Sequence, residues 1–207
     1  MIRSLQRRLA LALAGAMLTG AVFAQTATPP DELVKRISTE VLTTIQSDKG
    51  LQDGNIDKVA KLVDEKILPH TDFARMTAAA VGPGWRQATP AQQARLTELF
   101  KQLLIRTYAG AFSQTRNVTI EFKPVRVPAE GDVTVRSQVL QPQAEPIQLD
   151  YRMSKSADGW KIIDVNVLGI WLVQNYRNSF AQEVNRNGVD GLIKSLEQKI
   201  AELGGKK

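Results

Sequence analysis

The sequence predicts an α+β fold: a layer of helices packed on one side of a four-stranded antiparallel meander. Three observations carry this. Apolar residues recur at helical spacing from Leu33 to Phe112 and again from Ile170 to Ile200, the period drops to two between Val118 and Val139 and again from Ile147 to Met153, and short turn segments separate the runs. Strands grouped together and helices kept apart give a segregated two-layer architecture.

A leader stands ahead of the first helix. Arg3, Arg7 and Arg8 precede the apolar run Leu9 to Leu18, and Val22 and Ala24 flank a cut before Gln25. This is the layout of a secretory signal peptide, residues 1–24, leaving 25–207 as a single domain. The apolar run falls short of the ~20 residues that a spanning helix needs. No cysteine follows it to take a lipid anchor.

Leu33, Val34, Ile37, Val41, Leu42 and Ile45 make the apolar face of a first helix, with Asp31 and Glu32 at its positive end. Lys49-Gly50 and Asp53-Gly54 break it. Asn55 caps a second helix through Ile56, Val59, Leu62, Val63 and Ile67, which Pro69 stops. A third begins near Thr71 or Asp72 and ends at Gly82-Pro83-Gly84. Thr89-Pro90-Ala91-Gln92 then supplies a cap, a proline at the first helical position and a capping box. The helix it opens carries Leu96, Leu99, Phe100, Leu103, Leu104, Tyr108 and Phe112, and at roughly 22 residues it is expected to be the longest element and to back the sheet.

Four strands follow. Val118, Ile120 and Phe122 alternate with polar residues, then Val133, Val135 and Val139, then Ile147, Leu149, Tyr151 and Met153. The fourth, from Trp160 to Leu168, is irregular because Ile162 and Ile163 are adjacent, which marks a bulge or apolar groups on both faces. Gly169 is expected to end it, with a helix presenting Ile170, Val173, Tyr176, Phe180 and Val184 directly behind. Asn187-Gly188 breaks that helix, and Val189, Leu192, Ile193, Leu196 and Ile200 form the last one.

Composition narrows the function classes. Zero cysteines exclude a disulfide framework, a thiolate nucleophile and cysteine-ligated metal. The leader holds three of the 27 basic residues and none of the 21 acidic ones, so its loss halves the net charge of +6. No Lys/Arg cluster or recognition motif points to nucleic acid, and the 6% of aromatic residues do not interleave with the basic ones. Gly82-Pro83-Gly84 lacks the lysine of a phosphate loop. His70, the one histidine, lies two residues from Asp72 and reads as a surface ring beside a helix cap, with a base-and-orienter pair as the other reading. Asp150 and Asp164 stand on neighbouring strands. A glycosidase-like carboxylate pair is one reading, and charge pairing with Arg136 and Arg152 on a solvated face is the simpler one. No catalytic or metal-ligating set stands out.

Several stretches, in order, resemble one family. They are Leu68-Pro69-His70-Thr71-Asp72-Phe73, Val81-Gly82 with Trp85, and Ala88-Thr89-Pro90-Ala91-Gln92. Gly159-Trp160-Lys161-Ile162-Ile163-Asp164-Val165, then Leu172 to Phe180, and Asn187-Gly188-Val189-Asp190-Gly191-Leu192-Ile193 complete the set. Together they are similar to the MlaC family, periplasmic phospholipid carriers of the maintenance-of-lipid-asymmetry system, also called toluene-tolerance proteins. One departure is local. Where members carry an acidic residue before the glycine and a serine soon after, this chain reads Val167-Leu168-Gly169-Ile170-Trp171, a more apolar junction.

The resemblance implies a curved sheet and a helical layer enclosing an apolar pocket for acyl chains, with the head group near solvent and no enzymatic activity. Each buried methylene is worth ~0.8 kcal/mol, so about 30 of them approach ~25 kcal/mol and tails dominate binding. The expected tail contacts are Leu99, Leu103, Val135, Tyr151, Ile163, Val165, Leu168, Ile170 and Val173, and the expected phosphate contacts are Arg136, Arg152 and Arg177, whose forked guanidinium groups suit phosphate oxygens. The implied ligand is a bound phospholipid with no other cofactor. The implied partners are the outer-membrane MlaA–porin assembly and the inner-membrane MlaFEDB transporter, the carrier itself acting as a monomer in the periplasm. A hopanoid ligand, an envelope hydrolase using Asp150 and Asp164, and a structural adaptor are the competing readings.

Overall fold

The computed structural model describes residues 28–205 apart from 115–117, 129 and 143. The leader and its cleavage site lie outside the described residues. Helix α1 (Pro30–Ser47) starts with proline at its first position and Asp31 and Glu32 in its first turn. A short α2 (Lys49–Gln52) follows, capped by Asp48. In α3 (Ile56–Leu62), Asn55 Oδ1 accepts the Lys58 N–H at 3.1 Å, and the helix loosens into a π turn and a 3₁₀ turn that ends at His70. Asp72 Oδ1 caps α4 (Phe73–Val81) by accepting the Arg75 N–H at 3.0 Å. At the start of α5 (Pro90–Tyr108) both halves of the capping box form: Gln92 N–H to Thr89 Oγ1 and Thr89 N–H to Gln92 Oε1.

The sheet has five strands, one more than expected, in the order β1 (Thr119–Phe122), β2 (Val133–Leu140), β3 (Ile147–Ser156), β4 (Gly159–Val167), β5 (Ile170–Trp171), with every neighbouring pair antiparallel. The extra strand comes from the stretch expected to open the helix. Leu168 and Gly169 both take positive φ, 54° and 86°, and make a two-residue hairpin turn, so Ile170 pairs with Val167 and Trp171 with Asn166. Helix α6 (Leu172–Gly205) begins only after that. The irregularity in β4 is a bulge: Arg152 pairs with Asp164 but Met153 pairs with Ile162, leaving Ile163 as the additional residue. Beyond β5 the outer edge of β4 is covered by the segment before α4, where Thr71 bridges Ile162 and the Asp72 N–H donates to the Ile162 carbonyl at 2.9 Å.

Burial divides into three apolar cores. Leu33, Val34 and Ile37 of α1 pack against Val133, Val135, Met153, Trp160 and Ile162 of the sheet. Ile45, Leu51, Val59, Leu62, Ile105 and Ala109 form a second core around α2 and α3. The third lies among helices alone: Leu96, Leu99, Phe100 and Leu103 of α5 meet α4 and both arms of α6. The Phe100 ring sits at its centre, 5.7 Å from Phe73, 5.1 Å from Tyr176 and 5.4 Å from Phe180.

One expectation is thereby corrected. The helix that backs the sheet is α1, because the apolar face of α5 is already occupied by α4 and α6. The longest unbroken helix among the described residues is α5, as expected, at 19 residues, because the 34 residues of α6 are broken at Gly188 (φ 71°, ψ −174°). That break is where Asn187-Gly188 placed it. It divides α6 into two arms, both packed on α5. No described helix is long and apolar enough to cross a membrane.

Candidate functional site: the β4–β5–α6 junction and the α5–α6 cleft

The junction between β4, β5 and α6 is fixed by buried polar groups. Asp164 is only 3% exposed. Its Oδ1 accepts its neighbour Val165 N–H at 2.9 Å and the Val173 N–H, in the first turn of α6, at 3.1 Å. Burial raises the Asp164 carboxyl above its ordinary value, against the pull of these two N–H groups and of Arg152, whose guanidinium stands 3.8 Å from Oδ2. The same guanidinium lies over the Trp171 ring at 4.3 Å. Asn166 Oδ1 accepts the Gly169 N–H at 2.9 Å, and the Leu168 N–H donates to the Gln148 carbonyl at 3.0 Å, so the hairpin turn is held from both sides.

Asp150 is likewise buried. It accepts the Ser137 N–H at 3.2 Å and the Gln148 side-chain amide at 2.6 Å, while the Ser137 hydroxyl donates to the Leu149 carbonyl. The solvated face expected at Asp150 is therefore a buried polar layer, which Asp164 shares. Asp164 does face Arg152 across the strands, and Arg136 is the register partner of Asp150. Both carboxylates are committed to holding backbone, and water reaches neither freely. His70 and Asp72 do not form a base-and-orienter pair through the caps described, since Asp72 serves the first turn of α4. Burial, then Arg36 and Lys161, hold the His70 ring below its usual value, with Glu40 opposing.

The residues expected to meet acyl chains fall in three settings. Leu99, Leu103 and Val173 belong to the helical core. Val135 is central to the α1–sheet core, with Tyr151 and Val165 packed against it, and Tyr151 Oη lies 3.2 Å from Ser38 Oγ. Ile163 is the buried bulge residue, whereas Leu168 and Ile170 stand out into solvent at 64% and 54% exposure. Of the three arginines, Arg152 belongs to the junction, Arg136 is exposed on β2, and exposed Arg177 approaches Gly82, at which a Cβ would stand 4.0 Å from its Nε.

A cleft of about 600 Å³ opens between α5 and the two arms of α6. Leu103, Phe180, Leu192, Leu196 and Leu203 supply its apolar lining, and Glu183, Arg186, Lys199 and Glu202 its charged one. Of the nine expected tail contacts only Leu103 lines it. The sequence signal for this cleft was the Asn187-Gly188 break, which marks two arms without telling where they lie.

A family model described as "MlaC protein" matches residues 35–198. The chain belongs to the MlaC family. The match to MlaC begins inside α1 and ends inside the second arm of α6, so it takes in the sheet, the hairpin and the cleft. The chain is similar to the toluene tolerance protein ttg2D of Pseudomonas putida, 27% identical over 188 residues, spanning 90% of this chain and 86% of that one. It is also similar to the intermembrane phospholipid transport system binding protein MlaC of Haemophilus influenzae, 19% identical over 179 residues, 84% of each chain. Among solved structures it resembles the phospholipid-binding protein of Ralstonia solanacearum, determined in complex with a phospholipid. That likeness has a TM-score of 0.81 and 46% identity, covering 86% of this chain and 99% of the other.

Proposed function

We propose that this chain is a periplasmic phospholipid carrier that holds acyl chains between its cores and moves lipid between the outer and inner membranes without chemical turnover. The observation that carries the reading is the 46% identity, across nearly the whole of the other chain, to a protein whose structure was solved in complex with a phospholipid. The tails lie at the seam between the helical core and the sheet, with Leu99, Leu103 and Val173 on one side and Val135, Tyr151, Ile163 and Val165 on the other. Leu168 and Ile170 stand at the mouth. Arg136, Arg152 and Arg177 contact the phosphate. Residues 1–24 direct export and are removed, and the remaining domain works as a monomer, exchanging lipid with an outer-membrane MlaA–porin complex and an inner-membrane MlaFEDB transporter.

The burial of Asp150 and Asp164 supports binding over hydrolysis, since each carboxylate is occupied by backbone or amide donors. Native mass spectrometry of protein purified from cells without detergent, followed by organic extraction, tests the proposal. A stoichiometric diacyl phospholipid is expected. A hopanoid in its place changes the ligand class, and a folded protein with nothing bound sinks the carrier reading.

A further inference from the structure

We infer that the β4–β5 hairpin tip, Leu168-Gly169-Ile170, is the part of the molecule that docks on an anionic lipid bilayer. Only three large apolar side chains among the described residues are exposed: Val127, Leu168 and Ile170. Val127 lies in the β1–β2 connection, at the opposite end of the sheet, and the other two share one turn.

Leu168 is the sole described non-glycine residue with positive φ, at a turn position where asparagine or glycine fits without strain. Leucine there opposes both the backbone and the hydrophobic effect, and an observed outlier of this kind points to function. Nor is the tip loose, because Asn166 and Gln148 hold it.

Three features favour a bilayer. Residues 165–176, between Asp164 and Arg177, carry no charge, the longest such run after the first 30 residues, so the hairpin itself brings no ion with it. Behind the aliphatic pair comes Trp171 with the Arg152 guanidinium on its ring, an amphipathic aromatic and a cation at the depth of head groups. The chain is basic overall, which complements anionic lipid. Two aliphatic side chains fall far short of the roughly 800 Å² per partner of a stable protein interface. They suit a contact that is made and released.

This inference rests on the carrier reading for its purpose but is measured separately. Protein is floated with vesicles of phosphatidylethanolamine and phosphatidylglycerol at about 3:1, while lipid load is read by native mass spectrometry and stability by melting. The Leu168→Asn, Ile170→Ser double variant is expected to lose vesicle binding at least about fivefold in its lipid-free and lipid-loaded forms alike, and Leu168→Asn alone is expected to melt higher than the parent because the turn is relieved. Parent protein that fails to float overturns the inference, as does unchanged flotation of the double variant. Loss of flotation confined to the lipid-loaded form assigns the tip to the lipid site alone and overturns the inference. A dimer abolished by the substitutions makes it a contact between copies. A parent that floats through the tip but carries no lipid leaves the inference standing and removes the carrier reading.

Discussion

The carboxylate of Asp164, on β4, accepts the backbone N–H of Val173 at 3.1 Å, so the last long strand holds the first turn of α6 directly. Replacing Asp164 by alanine leaves that buried N–H without its acceptor and is expected to cost about 2–3 kcal/mol in urea unfolding. Asp164→Asn keeps one acceptor oxygen and costs less. Because burial raises the folded carboxyl above its ordinary 3.8, the stability it contributes is full below that value and lost as pH rises through the folded one. Parent stability should therefore fall relative to Asp164→Asn across that interval, and a flat difference argues against the buried setting.

His70 provides the opposite sign. Its folded value is held below 6.5, so its contribution to stability is present above 6.5 and lost as pH falls through the folded value. Being the single histidine, it gives one imidazole C2–H resonance to follow by NMR. The expected midpoint lies below that of an unstructured peptide, and His70→Gln should remove the corresponding acid-side loss of stability.

Tyr151 joins the sheet to α1 through Ser38. Burial, assisted by the Asp150 charge and opposed by the Ser38 hydrogen bond, pushes its hydroxyl up to about 12. Its contribution is thus present below the ordinary value of 10 and lost as pH rises through about 12. Burial raises Tyr108 and Tyr176 as well, so absorbance titration should show all three tyrosines ionising above 10, and Tyr151→Phe should abolish the last component at a cost of about 1 kcal/mol.

Gly84 closes the turn after α4 against the first arm of α6. A Cβ there would stand 2.7 Å from Val184 Cγ1 and 3.1 Å from Cγ2. Gly84→Ala is expected to destabilise by about 1–3 kcal/mol. Adding Val184→Ala should recover part of this, and strictly additive losses in the double variant would remove the steric explanation.

Local signals in the sequence carried a long way. The caps at Asn55, Asp72 and Thr89, the break at Gly188 and the bulge beside Ile163 all depend on residues within a few positions of one another, and each stands where the pattern put it. Partner choice did not carry. The faces of α1 and α5 are equally apolar in sequence, and only the packed molecule decides that α1 covers the sheet. The fifth strand was hidden because leucine occupies a turn position usually announced by asparagine, and the buried layer of Asp150, Asp164 and Asn166 because alternation marks a face without saying whether anything covers it. The α5–α6 cleft depends on how two arms of one helix lie together, which no local pattern encodes.

Ser38 and Tyr151 are 113 positions apart, and nearly everything α1 packs against in the sheet is as distant. A chain delivered from its N-terminus therefore presents α1 long before the strands that shelter it exist. Contacts this remote in sequence make for slow folding. The far end of the first helix meets α2 and α3 early through Ile45, while Leu33, Val34 and Ile37 have nothing to cover them until β4 has arrived, so the sheet core closes after its neighbour.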